Sequence, residues 1–337
     1  MSDASMKVLV AGGAGFIGST VASACSDAGM TPIIVDNLST GRIEFVANRE
    51  FYEGDISDEI LIERIFREHP SISAVVLCAA FINVAESVQN PVYYYRNNVS
   101  KCLEFVDHVI GHGCRRLIFS SSASIYQSND FLSVDEESPI QPVSPYARTK
   151  VASEWVLEDI SRSGVLRVLS FRYFNPIGAD PRMRSGLQSS HPTHALGKMI
   201  ESMRQGVGFE ITGADYPTRD GTGIRDYVHV WDIARAHVTA LSKFDQLVTD
   251  EKPYLTLNLG TGKGTTVREL LAVFNKISNL PIIAVDVPRR VGDTAGVYAN
   301  FDKARRLLGW SPNLSIAEGI RDSLKWDEVK HQFLRES

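Results

Sequence analysis

The sequence of 337 residues has no long hydrophobic run, few cysteines and little excess charge. No stretch is apolar over the roughly 20 residues of a transmembrane helix, and Met1 to Val10 lacks the features of a signal peptide. The four cysteines have no CxxC spacing, which is typical of reduced thiols rather than a disulfide framework. These absences predict a cytoplasmic globular protein.

The charged residues also give no sign of a polyanionic partner. The formal net charge is -5, and Lys and Arg are scattered rather than grouped, so we expect neither nucleic acid nor a membrane surface as a partner. His108 and His112 are four residues apart, but glycines end that helix and no third ligand motif accompanies them, so we expect no metal. A small soluble ligand is favoured.

Short β-branched runs alternate with longer amphipathic stretches in the first half of the chain. This pattern predicts an α/β fold with a Rossmann-type doubly wound parallel sheet and a smaller C-terminal substrate-binding domain. We place the cofactor-binding domain at residues 1–176 and the second domain at 177–337, although segments around 226–260 could rejoin the first. The predicted strands are 7–11, 32–35, 74–77, 116–119 and 166–170, and the predicted helices are 16–29, 58–68, 91–111 and 146–163.

A glycine-rich turn follows the first strand and opens the first helix. Gly12, Gly15 and Gly18 are spaced three apart, and glycines let the backbone approach a pyrophosphate at a helix N-terminus. Asp36 ends the second predicted strand, where a carboxylate can accept two ribose hydroxyls and repel a 2′-phosphate. A plain turn and a helix cap are the alternatives, but the combination favours NAD over NADP.

The segment Ala11-Gly-Gly-Ala-Gly-Phe-Ile-Gly18, with Asp36-Asn-Leu-Ser-Thr-Gly41, resembles the extended short-chain dehydrogenase/reductase family. Within it, the chain is most similar to the UDP-galactose 4-epimerases of the NAD-dependent epimerase/dehydratase group. The resemblance runs from about Lys7 to Trp326 and implies a cofactor site made of Gly12, Gly15, Phe16, Ile17, Gly18, Asp36, Asn37, Ser39, Asp55, Ile56, Ala79, Ala80, Asn98, Tyr146, Lys150 and Phe174.

Tyr146 and Lys150 are four residues apart, hence on one face of a predicted helix. A neighbouring ammonium and the positive nicotinamide favour a phenolate, so we expect the pKa of Tyr146 to lie nearer the working pH. Two surface residues are the alternative. The resemblance adds Ser122, in the serine run that follows a strand, as the hydroxyl that relays the sugar proton to Tyr146; that run could instead be a polar loop.

The same serine run argues against a dehydratase. Sugar-nucleotide dehydratases of this family carry an Asp-Glu pair where this chain has Ala123 and Ser124. An acid pair for eliminating water is therefore not expected.

The resemblance also implies a UDP-sugar site in the second half. Arg225 and Arg290 would clamp the diphosphate, since arginine can donate two parallel bonds to its oxygens. By the same resemblance, Asn175 would hydrogen-bond the UDP portion, Asp293 would contact the uridine ribose, and Val297 would line the sugar pocket, with Ser122 at the sugar oxygen. The residues that would flank the uracil are His194, Ala195, Glu210, Ile211 and Thr212.

We therefore expect an isomerase that inverts C4 of UDP-glucose or UDP-galactose through a 4-keto intermediate, and that works as a homodimer. A UDP-uronate or UDP-pentose enzyme and a non-catalytic NAD-binding regulator are the alternatives. Val297 is smaller than the Tyr of some members, which predicts acceptance of N-acetylated sugars; simple packing beneath a loop is the other interpretation. Ile82 stands where some members have a Lys near the cofactor.

Overall fold

The computed structural model describes residues 5–127, 132–189, 192–289 and 294–333. The strands are β1 (Lys7–Ala11), β2 (Thr31–Asp36), β3 (Glu50–Glu53), β4 (Ile72–Leu77), β5 (Arg116–Ser122), β6 (Ser133–Val134), β7 (Arg167–Tyr173), β8 (Asn175–Ile177), β9 (Phe209–Thr212), β10 (Ile224–Arg225), β11 (Tyr227–His229), β12 (Tyr254–Leu259), β13 (Thr265–Thr266), β14 (Ala284–Val287) and β15 (Tyr298–Ala299).

The helices include a π-helical segment, Arg96–Ser100, which joins two of them. They are α1 (Phe16–Asp27), α2 (Glu59–Glu68), α3 (Val84–Gln89), α4 (Pro91–Tyr95), α5 (Lys101–Gly111), α6 (Pro145–Arg162), α7 (Ala195–Gln205), α8 (Val230–Ser242), α9 (Phe244–Leu247), α10 (Val267–Ile277), α11 (Asp302–Leu308) and α12 (Ile316–Phe333). Short 3₁₀ turns cover Ile43–Val46 and Ala123–Ile125.

Seven strands form one parallel sheet in the order β12-β7-β5-β4-β1-β2-β3. Both faces are buried, because Val8 and Val10 of β1 belong to one hydrophobic cluster while Leu9 and Ala11 belong to another. Continuous β-branched runs suit strands that helices cover on both sides. The predicted doubly wound fold is confirmed.

The second half of the chain is built around smaller units. The described residues form four two-stranded sheets, β10-β13, β11-β8, β14-β9 and β15-β6. A separate cluster holds α7, α10, α12 and β9 together through residues such as Met199, Phe209 and Phe274. From the segment around 226–260, β12 joins the large sheet beside β7 and β11 pairs with β8. The domain boundary at residue 176 stays a prediction.

Three details differ from the sequence-based expectation. β3 and α3 were not predicted: β3 is a four-residue edge strand with a glutamate at each end, and α3 is only six residues long. The helix predicted over 91–111 contains a π turn, which often marks a functional region.

Within the described parts of the chain, no helix is both long and apolar enough to cross a bilayer, and no cluster of three or more potential metal-binding side chains is found.

Candidate active site

One edge of the large sheet gathers many of the predicted site residues. All seven strands are parallel, so their carboxyl ends lie at the same edge. Gly12 follows β1, Asp36 ends β2, Ala79 comes shortly after β4, Ser122 ends β5 and Phe174 follows β7. Ligands of such sheets bind in the crevice outside these ends, so the fold places these predicted residues at the edge where such a crevice forms.

The glycine turn after β1 is tightly packed. Gly12 has a φ of +78°, and a Cβ there would lie 2.5 Å from the backbone nitrogen of Ala79. A Cβ on Gly18 would lie 2.2 Å from the carbonyl oxygen of Gly12. Gly15 caps α1 without a side-chain hydrogen bond, so the first-turn N–H groups at Phe16 and Ile17 remain suitable for an anion.

The carboxylate of Asp36 is held by the backbone of this turn. Oδ2 accepts from the Ala14 amide at 2.9 Å and Oδ1 accepts from the Leu38 amide at 2.9 Å. Burial raises the pKa of Asp36, and these two amide bonds oppose that rise. Since a carboxylate accepts about four hydrogen bonds, two positions remain for the pair of hydroxyls on a ribose. The glycine turn and Asp36 therefore fit NAD.

Asp55 lies one strand farther along the sheet, after β3. Its carboxylate accepts from Asn37 Nδ2 at 3.0 Å, from the Ser57 amide at 3.1 Å and hydroxyl at 2.8 Å, and from Lys101 Nζ at 2.5 Å. Burial raises the pKa of Asp55, but the four hydrogen bonds outweigh it and the pKa is lowered. Asn37 also accepts from the Ser39 amide, and Ile56 is buried in the core beside it.

Asn98 lies in the π turn and is buried. Its amide nitrogen donates to the Phe81 carbonyl and to Thr149 Oγ1, and its amide oxygen accepts from the Phe81 amide at 2.9 Å. It thus joins α6 to the loop after β4, which contains Ala79 and Ala80. The direct contact of Asn98 with the cofactor, which the resemblance implies, stays a prediction. The structure shows that Asn98 holds the loop after β4 through its hydrogen bonds to Phe81.

Tyr146 lies in the first turn of α6, buried. Ser144 caps the helix by accepting from the Ala147 amide at 3.2 Å, and Pro145 occupies the first helical position. Burial raises the pKa of Tyr146, while a hydrogen bond with Ser122 lowers it. The net direction is opposite to the sequence-based expectation, because that expectation counted a positive nicotinamide and gave no weight to burial of the phenol.

Lys150 lies one turn farther along α6, also buried. Nζ donates to the Ser120 carbonyl at 2.7 Å, and burial lowers the pKa of Lys150 to about 8. Ser120 itself is fixed from below, because its hydroxyl lies 2.9 Å from Tyr173 Oη, which lies 2.7 Å from His237 Nε2. These contacts join the end of β5 to β7, α6 and α8.

The predicted substrate residues that are described lie in two groups. Phe174 is buried and stacks on Tyr126 with 6.5 Å between ring centroids, and Asn175 begins β8. His194 caps α7, which begins at Ala195, through Nδ1; Nε2 is buried without a hydrogen-bond partner in the described residues. Burial lowers the pKa of His194 to about 4. His194 and Phe16 line one cavity, so α1 and α7 approach each other.

Arg225 belongs to the second group, together with the strand β9. Its Nη1 donates to the carbonyls of Ile224 and Ala295, at 2.7 and 3.0 Å. In β9, Glu210 is exposed, Ile211 is buried and Thr212 is half-buried. Val297 is half-buried against the main core cluster, which agrees with either interpretation of that residue. Arg290 and Asp293 lie outside the described residues.

Sequence reasoning missed two charged pairs near the site. Lys101 contacts Asp55, and Glu154 of α6 forms a buried two-point ion pair with Arg172 of β7, with Nη2 to Oε2 at 2.7 Å. Arg172 also donates to Tyr126 Oη at 2.9 Å. A charge inside an otherwise apolar strand, as at Arg172, was the available signal; Lys101 had none, since a helical lysine is usually solvated.

Comparisons with known proteins identify the family of this chain. A model of the NAD dependent epimerase/dehydratase family matches residues 8–260. The UDP-glucose 4-epimerase of Rhizobium leguminosarum bv. trifolii is 39% identical over 326 residues, covering 96% of this chain and 98% of that one.

Solved structures agree in fold over almost the whole chain. UDP-glucose 4-epimerase from Bifidobacterium longum, in complex with NAD+ and UDP, has a TM-score of 0.89 and 33% identity, covering 97% of this chain and 99% of that one. The UDP-Glc/GlcNAc 4-epimerase from Campylobacter jejuni has a TM-score of 0.80 and 32% identity, covering 96% and 99%. These matches confirm the predicted resemblance: the chain belongs to the NAD dependent epimerase/dehydratase family.

Proposed function

We propose that this protein is an isomerase that inverts the C4 hydroxyl of a UDP-hexose, as in UDP-glucose and UDP-galactose. The observation that carries the proposal is the pair of buried residues Tyr146 and Lys150 on α6, because Lys150 donates to the Ser120 carbonyl in the strand that ends at Ser122. That strand end lies at the same sheet edge as the glycine turn and Asp36. Full-length relatives named UDP-glucose 4-epimerase support the reaction. A non-catalytic regulator would have no use for a buried Tyr and Lys on one helix.

NAD is the cofactor, as predicted, since the family is NAD-dependent and a relative is solved with NAD+ bound. In this proposal the N-terminus of α1 binds the pyrophosphate and Asp36 binds the adenosine ribose, while Tyr146 and Lys150 approach the nicotinamide ribose. When bound, the nicotinamide supplies oxidation and reduction at C4. The chain itself supplies binding, orientation and proton transfer.

The proton of the C4 hydroxyl passes through Ser122 to Tyr146. Burial keeps the phenol protonated in the free protein, so a nearby positive charge is needed to make it a base. In this proposal Lys150, one turn farther along α6, supplies that charge together with the bound nicotinamide, since its pKa of about 8 leaves it mostly charged at neutral pH. Inversion requires that the hydride taken from C4 return to the opposite face of the 4-keto carbon, while Tyr146 returns the proton to the C4 oxygen through Ser122, so no net oxidant is consumed.

The UDP portion is held by the second half of the chain. Arg225 is already close to residues 294 and 295, next to the segment that contains Arg290 and Asp293. These three residues form the proposed clamp for the diphosphate and uridine ribose. Asn175, His194, Ala195 and β9 complete the nucleotide site, and Val297 lines the sugar pocket.

The direct test is to mix purified protein with UDP-glucose and to follow UDP-galactose and NADH. UDP-galactose should form at many turnovers per protein without NADH accumulation. Stoichiometric NADH or no product would overturn the proposal. Conversion of UDP-xylose or a UDP-uronate but not UDP-glucose would favour the alternative substrates.

We also propose that the protein is a homodimer in the cytoplasm. The resemblance implies a dimer interface made by the predicted helices 91–111 and 146–163, through the apolar residues Val99, Cys102, Leu103, Val106, Ile110, Val151, Trp155 and Leu157. Of these, Cys102, Val106, Val151 and Leu157 are buried within the chain, whereas Trp155 is exposed. Further exposed apolar residues near Trp155 include Val88 of α3 and Val92 of α4, and the helices α3, α4 and α6 lie against each other. Light scattering at micromolar concentration should give twice the mass of one chain, and Trp155→Glu should reduce it.

A further inference from the structure

Asp226 is a buried carboxylate among the residues proposed to hold the UDP portion. It lies directly after Arg225, between the short strands β10 and β11. Its Oδ1 accepts from the Thr261 amide at 2.8 Å and from the Thr261 hydroxyl at 2.6 Å, and its Oδ2 accepts from the amides of Gly262 and Ala299 at 3.0 and 3.1 Å. These four donors fill a carboxylate, which accepts about four hydrogen bonds. The side chain of Asp226 thus joins the loop after β12 to β15.

The main chain at Asp226 is joined to the residues that follow β7. The Asp226 carbonyl accepts from the Asn175 amide at 2.8 Å, and the Leu259 carbonyl, at the end of β12, accepts from the Phe174 amide at 3.1 Å. Phe174 and Asn175 come directly after β7 of the large sheet. Asp226 therefore lies at the junction between the carboxyl edge of the large sheet and the short strands of the second half.

Arg225 and Asp226 hold the two ends of one segment through opposite groups. The Arg225 guanidinium donates to the Ala295 carbonyl at 3.0 Å, whereas the Asp226 carboxylate accepts from the Ala299 amide. Val297, the proposed sugar-pocket residue, lies midway between these two attachment points in the sequence. Because the hydrogen-bonding capacity of Asp226 is used within the protein, this residue acts on the substrate through the segment and not by direct contact.

The negative charge of Asp226 is offset by these hydrogen bonds. Burial raises the pKa of Asp226, and the hydrogen bonds from Thr261, Ala299 and Gly262 oppose that rise. An asparagine at this position would have one acceptor oxygen, because its NH2 group is a donor. Either Thr261 or the pair of Gly262 and Ala299 would then face a second donor, so one of the two attached segments would lose its hydrogen bonds.

We propose that Asp226 is a positioning residue for the UDP-sugar, because its carboxylate fixes the segment 295–299 and the loop 260–262 next to Arg225. The inference rests on the proposed substrate site but not on the identity of the sugar. Replacing Asp226 should weaken binding of the UDP portion. It should leave NAD affinity and the rate of the chemical step nearly unchanged, because the catalytic pair lies on α6.

The experiment measures the dissociation constant of UDP by calorimetry on the NAD-loaded protein, together with KM and kcat for UDP-glucose. Asp226→Asn should raise the dissociation constant and KM by roughly 10-fold, the size expected for a lost hydrogen bond to a charged group, while kcat stays within about threefold. Asp232→Asn is the matched control, because Asp232 is equally buried and holds the amides of Asn313 and Leu314 instead. This control should leave the dissociation constant of UDP unchanged.

Gly260→Ala disturbs the same junction without removing a hydrogen-bonding group. A Cβ at Gly260 would lie 2.6 Å from Asp226 Oδ2 and 2.6 Å from the Ala299 Cβ, so the added methyl group would push these two residues away from the loop. The dissociation constant of UDP should rise in this variant as well. It therefore tests the proposal even if Asp226→Asn does not fold.

Wild-type affinity for UDP in Gly260→Ala or in folded Asp226→Asn, or an equal loss of affinity in Asp232→Asn, would overturn the proposal. A fall in kcat with unchanged KM would also overturn it, because Asp226 would then act on the chemical step. Wild type that binds UDP but forms no UDP-galactose would reject the proposed reaction, and the dissociation constants would still decide the role of Asp226. Wild type that binds no UDP would reject both.

Discussion

The catalytic half and the substrate half of the site are supported in different ways. Tyr146 and Lys150 are buried on a helix that packs on a seven-stranded sheet, and Lys150 is bonded to the backbone of a neighbouring strand. Arg225 lies in a two-residue strand, and its guanidinium is bonded to carbonyls at 224 and 295. The catalytic residues are therefore held by the large sheet, whereas Arg225 is held by contacts among short strands and loops.

The largest effect should come from removing the phenol oxygen. Tyr146→Phe should lower kcat by about 10² to 10⁴-fold, because the general acid-base group is lost, while NAD binding persists. Steady-state kinetics and calorimetry measure the two. Tyr52→Phe, which loses a hydroxyl bonded to Glu68 and His69, is the control and should keep its activity. A Tyr146→Phe enzyme with wild-type kcat would refute the catalytic assignment.

The second prediction concerns the buried ion pair between Glu154 of α6 and Arg172 of β7, which joins the catalytic helix to the large sheet. Arg172→Met leaves Glu154 charged and uncompensated, which should lower the free energy of unfolding by about 3–5 kcal/mol. Replacing both residues, with Glu154→Leu and Arg172→Met, should recover most of the loss. Denaturant titration measures both variants. If the single variant is as stable as wild type, the pair does not hold α6 in place.

Replacing Lys150 should raise the stability of the protein and lower its activity. Its pKa falls from 10.5 to about 8 on folding, so the unfolded state binds more protons between these values and wild-type stability rises with pH there. Lys150→Met should therefore be more stable than wild type at pH 7, by up to about 3 kcal/mol, yet less active. Above pH 10.5 the stability difference should vanish. A difference independent of pH would contradict the proposed burial cost.

Arg225 tests the substrate half. Arg225→Ala should raise KM for the UDP-sugar and lower kcat/KM by roughly 10- to 100-fold, since a charge-assisted bond to the diphosphate is lost. Arg219→Ala, at an exposed pair with Glu269, is the matched control and should leave KM unchanged. An Arg225 variant with wild-type KM would remove this residue from the clamp.

The smallest effect concerns substrate range. With Val297 in place, the enzyme should interconvert UDP-N-acetylglucosamine and UDP-N-acetylgalactosamine as well as the unacetylated pair. Val297→Tyr should lower kcat/KM for the acetylated pair selectively, since overpacking costs about 1–3 kcal/mol. Val297→Ala is the size control. An unchanged ratio between the substrate pairs would show that Val297 only packs against the core.

The sequence predicted the large sheet and the order of the site residues better than it predicted burial and contacts between distant residues. The large sheet was predictable because continuous β-branched runs and a glycine turn leave few alternatives, and the order of Gly12, Ser122 and Tyr146 then located the crevice. The direction of the Tyr146 pKa was not, because it depends on burial. The Asp55–Lys101 pair was also hidden, since 46 residues separate its members and nothing local relates them.

The most direct test of the central claim uses UDP-galactose labelled with deuterium at C4. The account predicts that UDP-glucose forms with the deuterium still at C4. The label is kept because the deuteride is removed from C4 and returned to it at one bound cofactor, without exchange with solvent. Mass spectrometry and NMR of the product measure this. Loss of deuterium to water, or its appearance at another carbon, would contradict inversion through a C4 ketone.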